Sequence, residues 1–334
     1  MDFVVHRSIT FRITVLAGAL VSALLLLTAC STHPGSSSLL LGGDVMLSRG
    51  GNPIFQDESP WGEVTPYLAD SQSALFAVNL ESPFGNASLI ADTTDADMNL
   101  CADEGEVRVL TEVGIDLVTT ANNHMADCPA AGASHTAQVA ESAGIHALGG
   151  SDVVYLPAGK QMVAFLALDA YSNGYKLDVF EEVIRTCREK SDLVVVSLHW
   201  GNEYQAGPTF EQEVLAQGLI DAGADLVWGH HPHVLQRLQW YESTIDGHRG
   251  LVLYSLGNLL ADQYMLQDAM RTALVEIEFK SHEIRGIEVI PLMLDTQSKQ
   301  LELVTQKDIL KLITDRLSLP DLSVKGVKIG VWGE

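Results

Sequence analysis

Seven short apolar runs constrain the fold of this 334-residue chain more than any other feature, at residues 39–41, 75–78, 117–120, 163–168, 193–198, 226–228 and 251–256. They are too short for buried helices and largely uninterrupted by polar residues, and several are rich in β-branched side chains. That is the pattern of strands covered on both faces. Helical patterning separates several of them, at residues 105–113, 134–143, 178–190 and 210–222. The alternation predicts an α/β fold around a largely buried sheet. Residues 273–279 and 284–292 flank Lys280-Ser281-His282-Glu283 and read as a β-hairpin. A tail from residue 295 carries one helical piece, 305–316, and a Pro/Gly-punctuated end expected to be loosely attached. With no convincing linker, and 47% of residues hydrophobic, a single large domain is expected.

The N-terminus stands apart from that domain. Arg7 and Arg12 precede an apolar stretch over residues 15–29 whose length suits a secretory leader better than a membrane span. It ends in Leu27-Thr28-Ala29-Cys30, which resembles the lipobox of bacterial lipoproteins, whose cysteine receives lipid and becomes the first mature residue. The alternative is an uncleaved anchor helix. The expected organisation is a leader at 1–29, a Ser-rich tether at 30–37, the main domain at 38–294 and a C-terminal extension at 295–334. Such a chain would be exported and lipid-anchored through Cys30 to the cell membrane or an outer membrane.

The balance of 20 basic against 43 acidic residues, a net charge of −23, repels phosphate backbones and argues against a nucleic-acid partner. Beyond Cys30 the cysteines are Cys101, Cys128 and Cys187, with no CxxC spacing for a zinc site. Export permits disulfides. Either Cys101 and Cys128 pair across a helix–strand hairpin, leaving Cys187 free, or all three are reduced and partly buried.

Five polar motifs each follow an apolar run: Gly43-Asp44-Val45-Met46, Asn79-Leu80-Glu81, Asn122-Asn123-His124, His199-Trp200-Gly201 and Gly229-His230-His231-Pro232-His233. They offer the carboxylates, amide and imidazoles that divalent ions take as ligands. Open α/β sheets gather ligands beyond the carboxyl ends of their strands, so the motifs suggest one metal site along one edge of a sheet. One polar residue after one strand is commonplace. Five such ends, three with histidine, exceed what caps and turns require. His231-Pro232-His233 reads as an extended segment sending two rings to one site. His230 is either a partner to a ligand or a buried, hydrogen-bonded histidine. Glu203 and Asp127 are near enough in sequence to orient ligating imidazoles, or are solvated carboxylates. Asn258 either lines a pocket or caps the turn after Gly257. Arg271 is either an anion clamp or one end of a surface salt bridge. Asn258, Arg271 and Glu203 are therefore the candidates for substrate binding.

In order, these motifs, with Ser255-Leu256-Gly257-Asn258, resemble the CapA/PgsA capsule-synthesis family, linked to poly-γ-glutamate production and similar to calcineurin-like metallophosphoesterases. The resemblance spans roughly residues 38–292 and implies layered sheets flanked by helices, with a metal site at the carboxyl ends of strands. It implies Asp44, Glu81, Asn123, His199, His231 and His233 as ligands of one or two divalent ions (Mn, Fe or Zn), and His124 as the donor of a proton to a leaving oxygen. Two departures stand out. Met46 occupies the place of a histidine in the wider superfamily's Asp-x-His motif, and Glu81 that of a bridging aspartate. The implied function is a lipid-anchored, metal-dependent, phosphoesterase-like hydrolase of the cell envelope. The alternative is a non-catalytic, metal-organised factor that binds or assembles capsule polymer for export. The implied partners are an envelope or capsule polymer, the membrane through the lipid, and capsule synthesis or export subunits. No Gly-x4-Gly-Lys-Ser/Thr loop occurs, so polymerisation driven by that kind of ATP site would need such subunits.

Overall fold

A computed structural model describes residues 37–56, 58–70, 75–90, 98–128, 132–150, 152–174, 177–318, 323–325 and 328–332. The expected leader, Cys30 and all but the last residue of the expected tether lie outside the described residues. At least half of each of the seven apolar runs lies in a strand, and these strands belong to two large sheets. In the first, Ser37–Val45, Leu75–Leu80, Leu117–Thr119 and His146–Leu148 run parallel in that order. Arg271–Lys280 and Glu283–Leu294 continue it antiparallel on the other side of Ser37–Val45. In the second, Gln161–Asp169, Leu193–His199, Leu226–His230 and Arg249–Leu253 are parallel, with Val153–Ala158 and Leu238–Glu242 as antiparallel edges.

Period-two alternation explains how the two sheets stack. Leu39 and Leu41 of the first sheet share one core with Val163, Phe165, Leu193, Val195 and Trp228 of the second. Leu40, Phe76 and Val78 point the other way, into a core with Val109, Leu110 and Trp61. On the far side of the second sheet, Leu166, Val194 and Val196 pack against Ile184 and Cys187 of helix Leu177–Arg188, and Leu215 and Leu219 of helix Phe210–Ala222. Successive strand side chains alternate faces, so a run buried on both faces must be apolar throughout. Burying one such Leu or Phe stabilises the fold by about 1.5–3 kcal/mol. The Trp228 indole N–H crosses between sheets to the Gly42 carbonyl at 3.0 Å.

Local signals set the ends of several elements. Thr209 and Gln212 form a reciprocal capping box at the start of helix Phe210–Ala222, and Gly223 ends it at φ 112. The expected hairpin forms, with Ser281 and His282 at φ 48 and 67 in its two-residue turn. Cys101 and Cys128 are joined by a disulfide, and Cys187 is free and buried. The described residues of the C-terminal segment are tied in. Leu301–Leu303 and Lys328–Trp332 both pair with Glu283–Leu294, and helix Lys307–Leu317 packs Ile313 and Leu317 into the inter-sheet core.

Candidate metal centre

The parallel strands of each sheet present their carboxyl ends to a common region, and the five motifs meet there. They do not lie along one sheet edge. Asp44, Glu81 and Asn122-Asn123-His124 come from the first sheet and its loops, while His199 and His230 to His233 come from the second. The site sits across the seam between two stacked sheets. Such a seam is invisible in sequence, because strands buried on both faces look alike whichever sheet they join.

Close backbone approach positions Asp44. Its N–H donates to the Gly257 carbonyl at 2.9 Å, and a Cβ on Gly43 would meet that oxygen at 1.9 Å. Gly257 itself has φ 71, which favours glycine. Asp44 is fully buried and well supplied with partners. Oδ1 accepts from Asn79 Nδ2 at 2.9 Å and lies 3.2 Å from His230 Nδ1. Oδ2 lies 3.2 Å from His233 Nδ1 and accepts the His231 backbone N–H at 3.2 Å. That last bond accompanies a feature the sequence reading had otherwise. Residues 231–233 are not extended, because His231 and His233 hold φ 92 and 58. Non-glycine residues there cost of order 1–3 kcal/mol each and persist where surrounding contacts over-determine them, often at functional sites. Both rings still face one site, their centroids 5.7 Å apart.

The remaining candidates close around this pair. Asn123 Oδ1 is 2.7 Å from His199 Nε2, which is 3.1 Å from His231 Nδ1. Glu81 Oε1 is 3.9 Å from His199 Nδ1, and its Oε2 is 4.0 Å from His233 Nε2. Ligand atoms of Asp44, Glu81 and His233 lie within 4.8 Å of one another, and so do those of Glu203, His231 and His233. Glu203 therefore stands among the ligand atoms rather than at a distance from them. His124 Nδ1 is held by Asp127 Oδ2 at 2.9 Å, and Asp127 is fixed by the Leu100 N–H at 2.8 Å. Asn258 Oδ1 is 3.1 Å from His233 Nδ1, its amide anchored on Gln263 and the Ala269 carbonyl. Among the described residues no hydrogen bond or ion pair joins the Arg271 side chain to these groups; it pairs with Asp268 at 2.5 Å. Met46 is buried in the core beneath the first sheet.

Several contributors escaped sequence reasoning. Asn79 was visible only as the start of a motif, yet its amide bridges Asp44 and Glu81 while its oxygen accepts from Thr119 and Asn122. His230 is different, since the sequence offers it as a partner to a ligand or a buried histidine; it is buried, touches Asp44 and sits edge-on to Trp228, with centroids 4.4 Å apart. Tyr171, outside every motif, lies over His231 with ring centroids 4.0 Å apart.

Burial and charge pull the titrating groups apart. Burial lifts the Glu81 carboxyl to about 7. Burial also opposes charge on Asp44, but contacts from His230 and His233 outweigh it and hold the carboxyl well below its usual range. Burial and the neighbouring His233 push His231 down to about 4, and burial with His231 depresses His199 strongly. His233 resists its own burial, since Glu81 and Asp44 hold it up at about 9. His124 is raised, as Asp127 and Glu81 overcome its burial.

Several buried donor atoms of the set lack hydrogen-bond partners among the described residues: Glu81 Oε2, His199 Nδ1 and His231 Nε2. Unsatisfied buried polar atoms are rare in native proteins, and each calls for an explanation such as an ion or catalysis. Glu81 and His231, which carry two of these atoms, each belong to a group of three carboxylate and imidazole ligands whose atoms lie within 4.8 Å of one another, a donor set that fits a divalent ion.

Fold and site together define an α/β protein of two stacked sheets with a candidate histidine–carboxylate metal centre at its strand ends. Residues 38–263 match the family described as bacterial capsule synthesis protein PGA_cap, and the chain belongs to that family. It is 31% identical to the capsule biosynthesis protein CapA of Bacillus anthracis, over 75% of this chain and 66% of that protein, just under two thirds. It is 28% identical to the PGA biosynthesis protein CapA of Bacillus subtilis (strain 168), over 75% of this chain and 70% of that one. A Staphylococcus aureus protein solved as a candidate 5′-nucleotidase with alpha-ketoglutarate aligns with TM-score 0.48 at 14% identity, over 84% of this chain and 58% of that one. That likeness is too distant to inform the chemistry.

Proposed function

We propose that this chain is a lipid-anchored, metal-dependent, phosphoesterase-like hydrolase of the cell envelope, acting in the making, export or tethering of poly-γ-glutamate or a related capsule polymer. One observation carries the chemical part: ligand atoms of Asp44, Glu81 and His233, and those of Glu203, His231 and His233, lie within 4.8 Å of one another in each group, and among the described residues Glu81 and His231 each keep a buried atom without a hydrogen-bond partner. Family membership supports the biological part. The residues that would hold one or two ions are Asp44, Glu81, Asn123, His199, His231 and His233, with Glu203 in reach. Mn, Fe or Zn suits this mixed set.

When bound, a divalent ion supplies a Lewis acid and lowers the pKa of water enough for attack near neutral pH. The chain's own residues do the rest. Asn79 fixes the Asp44 and Glu81 carboxylates through one amide. Asn258 holds His233 in orientation, and Asp127 holds His124 by Nδ1. That leaves His124 Nε2 to hand a proton to a leaving oxygen, a role worth about 10²–10⁴-fold in rate.

A second reading, a metal-organised factor that binds or assembles polymer without hydrolysis, is favoured by the burial of Met46, which leaves the first motif with Asp44 as its single ligand. One experiment separates the two. Residues 31–334 are expressed, metal content is measured, and phosphomonoester and phosphodiester hydrolysis is assayed with added manganese, iron or zinc. The hydrolase reading expects His124→Ala to keep metal and lose turnover, and His231→Ala to lose metal. Bound metal without hydrolysis of any phosphate, amide or glycan tested would move the function to the second reading. A chain that takes up none of the three metals would sink both.

A further inference from the structure

Besides the metal centre, the structure carries a cavity of about 390 Å³ whose lining includes Arg237, Arg271 and Arg316. The chain has 20 basic residues against 43 acidic ones, so three guanidiniums on one concavity are unexpected. Each is held in place. Asp268 takes Arg271 on one oxygen at 2.5 Å and Arg316 on the other at 3.0 Å. Arg237 is paired with Glu213 and lies over the Tyr254 ring, 5.0 Å from its centroid. Arg316 also reaches the Leu235 carbonyl at 3.4 Å, tying helix Lys307–Leu317 to the segment after His233.

Two features make this cavity a site for an anion rather than a set of closed salt bridges. A guanidinium carries five N–H donors in a planar fork, and the hydrogen bonds among the described residues use at most two on each of these arginines. Charge also favours it. The lining carboxylates are Asp268 and Asp315, and Asp315 is neutralised by Lys311. Counting Glu213 and Lys311, which pair with Arg237 and Asp315 from outside the lining, four positive groups stand against three negative ones in a chain of net charge −23. Two segments lead from the candidate metal centre to this cavity. Gly207 of its lining lies four residues after Glu203, and Leu235 lies two after His233.

We propose that this cavity binds an oxyanion, the carboxylate or phosphate group of a ligand. A single molecule would then place that group among Arg237, Arg271 and Arg316 while another part reaches the metal centre; this spanning rests on the metal reading above, whereas the anion site does not. Guanidinium forks are matched to planar or tetrahedral oxyanions through paired N–H bonds, and charge-assisted bonds of this kind are roughly twice as strong as neutral ones.

The test uses residues 31–334, titrated separately with inorganic phosphate and with glutarate, while the arginine Nε–H resonances are followed by NMR. Saturable shifts at Arg237, Arg271 and Arg316 with either probe are expected, and the probe that saturates names the class. Arg316→Gln and Arg237→Gln should each weaken binding about tenfold, with thermal melting checked so that a misfolded variant is not scored. Two independent variants guard against loss of the Asp268 contact alone. No saturable shift with either probe, or wild-type affinity in both variants, overturns the proposal. Metal content of the same samples is read in parallel. Anion binding in a chain that takes up no metal would remove the metal reading and leave this one standing.

Discussion

Asn123 Oδ1 lies 2.7 Å from His199 Nε2, joining a loop of the first sheet to the last residue of a strand in the second. It is the shortest direct link between candidate ligands across the seam, and it orients His199 toward His231. Asn123→Ala is therefore expected to lower metal affinity about 10–100-fold while leaving secondary structure intact. Metal titration alongside circular dichroism checks this. Unchanged affinity would show that the amide neither ligates nor orients.

Gly43 is expected to tolerate no side chain. A Cβ there would meet the Gly257 carbonyl at 1.9 Å, and that carbonyl also accepts the Asp44 N–H. Gly43→Ala should destabilise the fold by about 1–3 kcal/mol through forced backbone displacement. It should also weaken metal uptake, because Asp44 moves with the strand. Urea unfolding and metal content together make the measurement.

The Cys101–Cys128 disulfide closes a span of 27 residues leading up to and past Asn123 and His124. Cys101→Ser with Cys128→Ser should cost about 2–4 kcal/mol, read as a lowered melting temperature. In residues 31–334 of the oxidised protein, denaturing thiol titration should find Cys187 alone.

Asp116 offers a pH test outside the candidate metal centre. Burial raises its pKa even though it accepts the Phe76 N–H at 2.8 Å. A carboxyl with a raised folded-state pKa binds its proton more tightly when folded. Its contribution to stability is thus greatest at low pH and falls as pH rises from its unfolded value toward the folded one. Asp116→Asn keeps an acceptor for Phe76 and removes the ionisation. It should flatten that part of the stability–pH profile and raise stability at neutral pH, measured by urea unfolding across pH 3–7. A steeper profile in the variant would refute the assignment.

The strands were legible because runs such as 163–168, apolar at every position, and 193–198, apolar but for Ser197, have the pattern that a strand covered on both faces demands. The edges were harder. Val153–Ala158 and Leu238–Glu242 are antiparallel edge strands with half-exposed faces and carry no such signature. Within the site, Asp44, Glu81, Asn123, His199, His231 and His233 stood out by position after apolar runs, and the structure brings all six together. Asn79 and Tyr171 did not stand out, since their contacts join segments far apart in sequence. Glu203 did stand out, but its place among the ligand atoms depends on how the loop after His199 turns back toward His231 and His233.

The amino-acid sequence by itself determined the α/β class, the order of its main strands and helices, the hairpin near the end and the chemical types of the ligand set. Each rests on local periodicity or on residues adjacent in the chain. Tertiary structure alone decided that the strands divide into two stacked sheets, that the motifs meet across the seam, that Met46 packs into the core, and that Arg237, Arg271 and Arg316 share one cavity. Those outcomes depend on how faces pair. An apolar face carries no label saying which other apolar face will cover it, so only the packed fold fixes what stands opposite what.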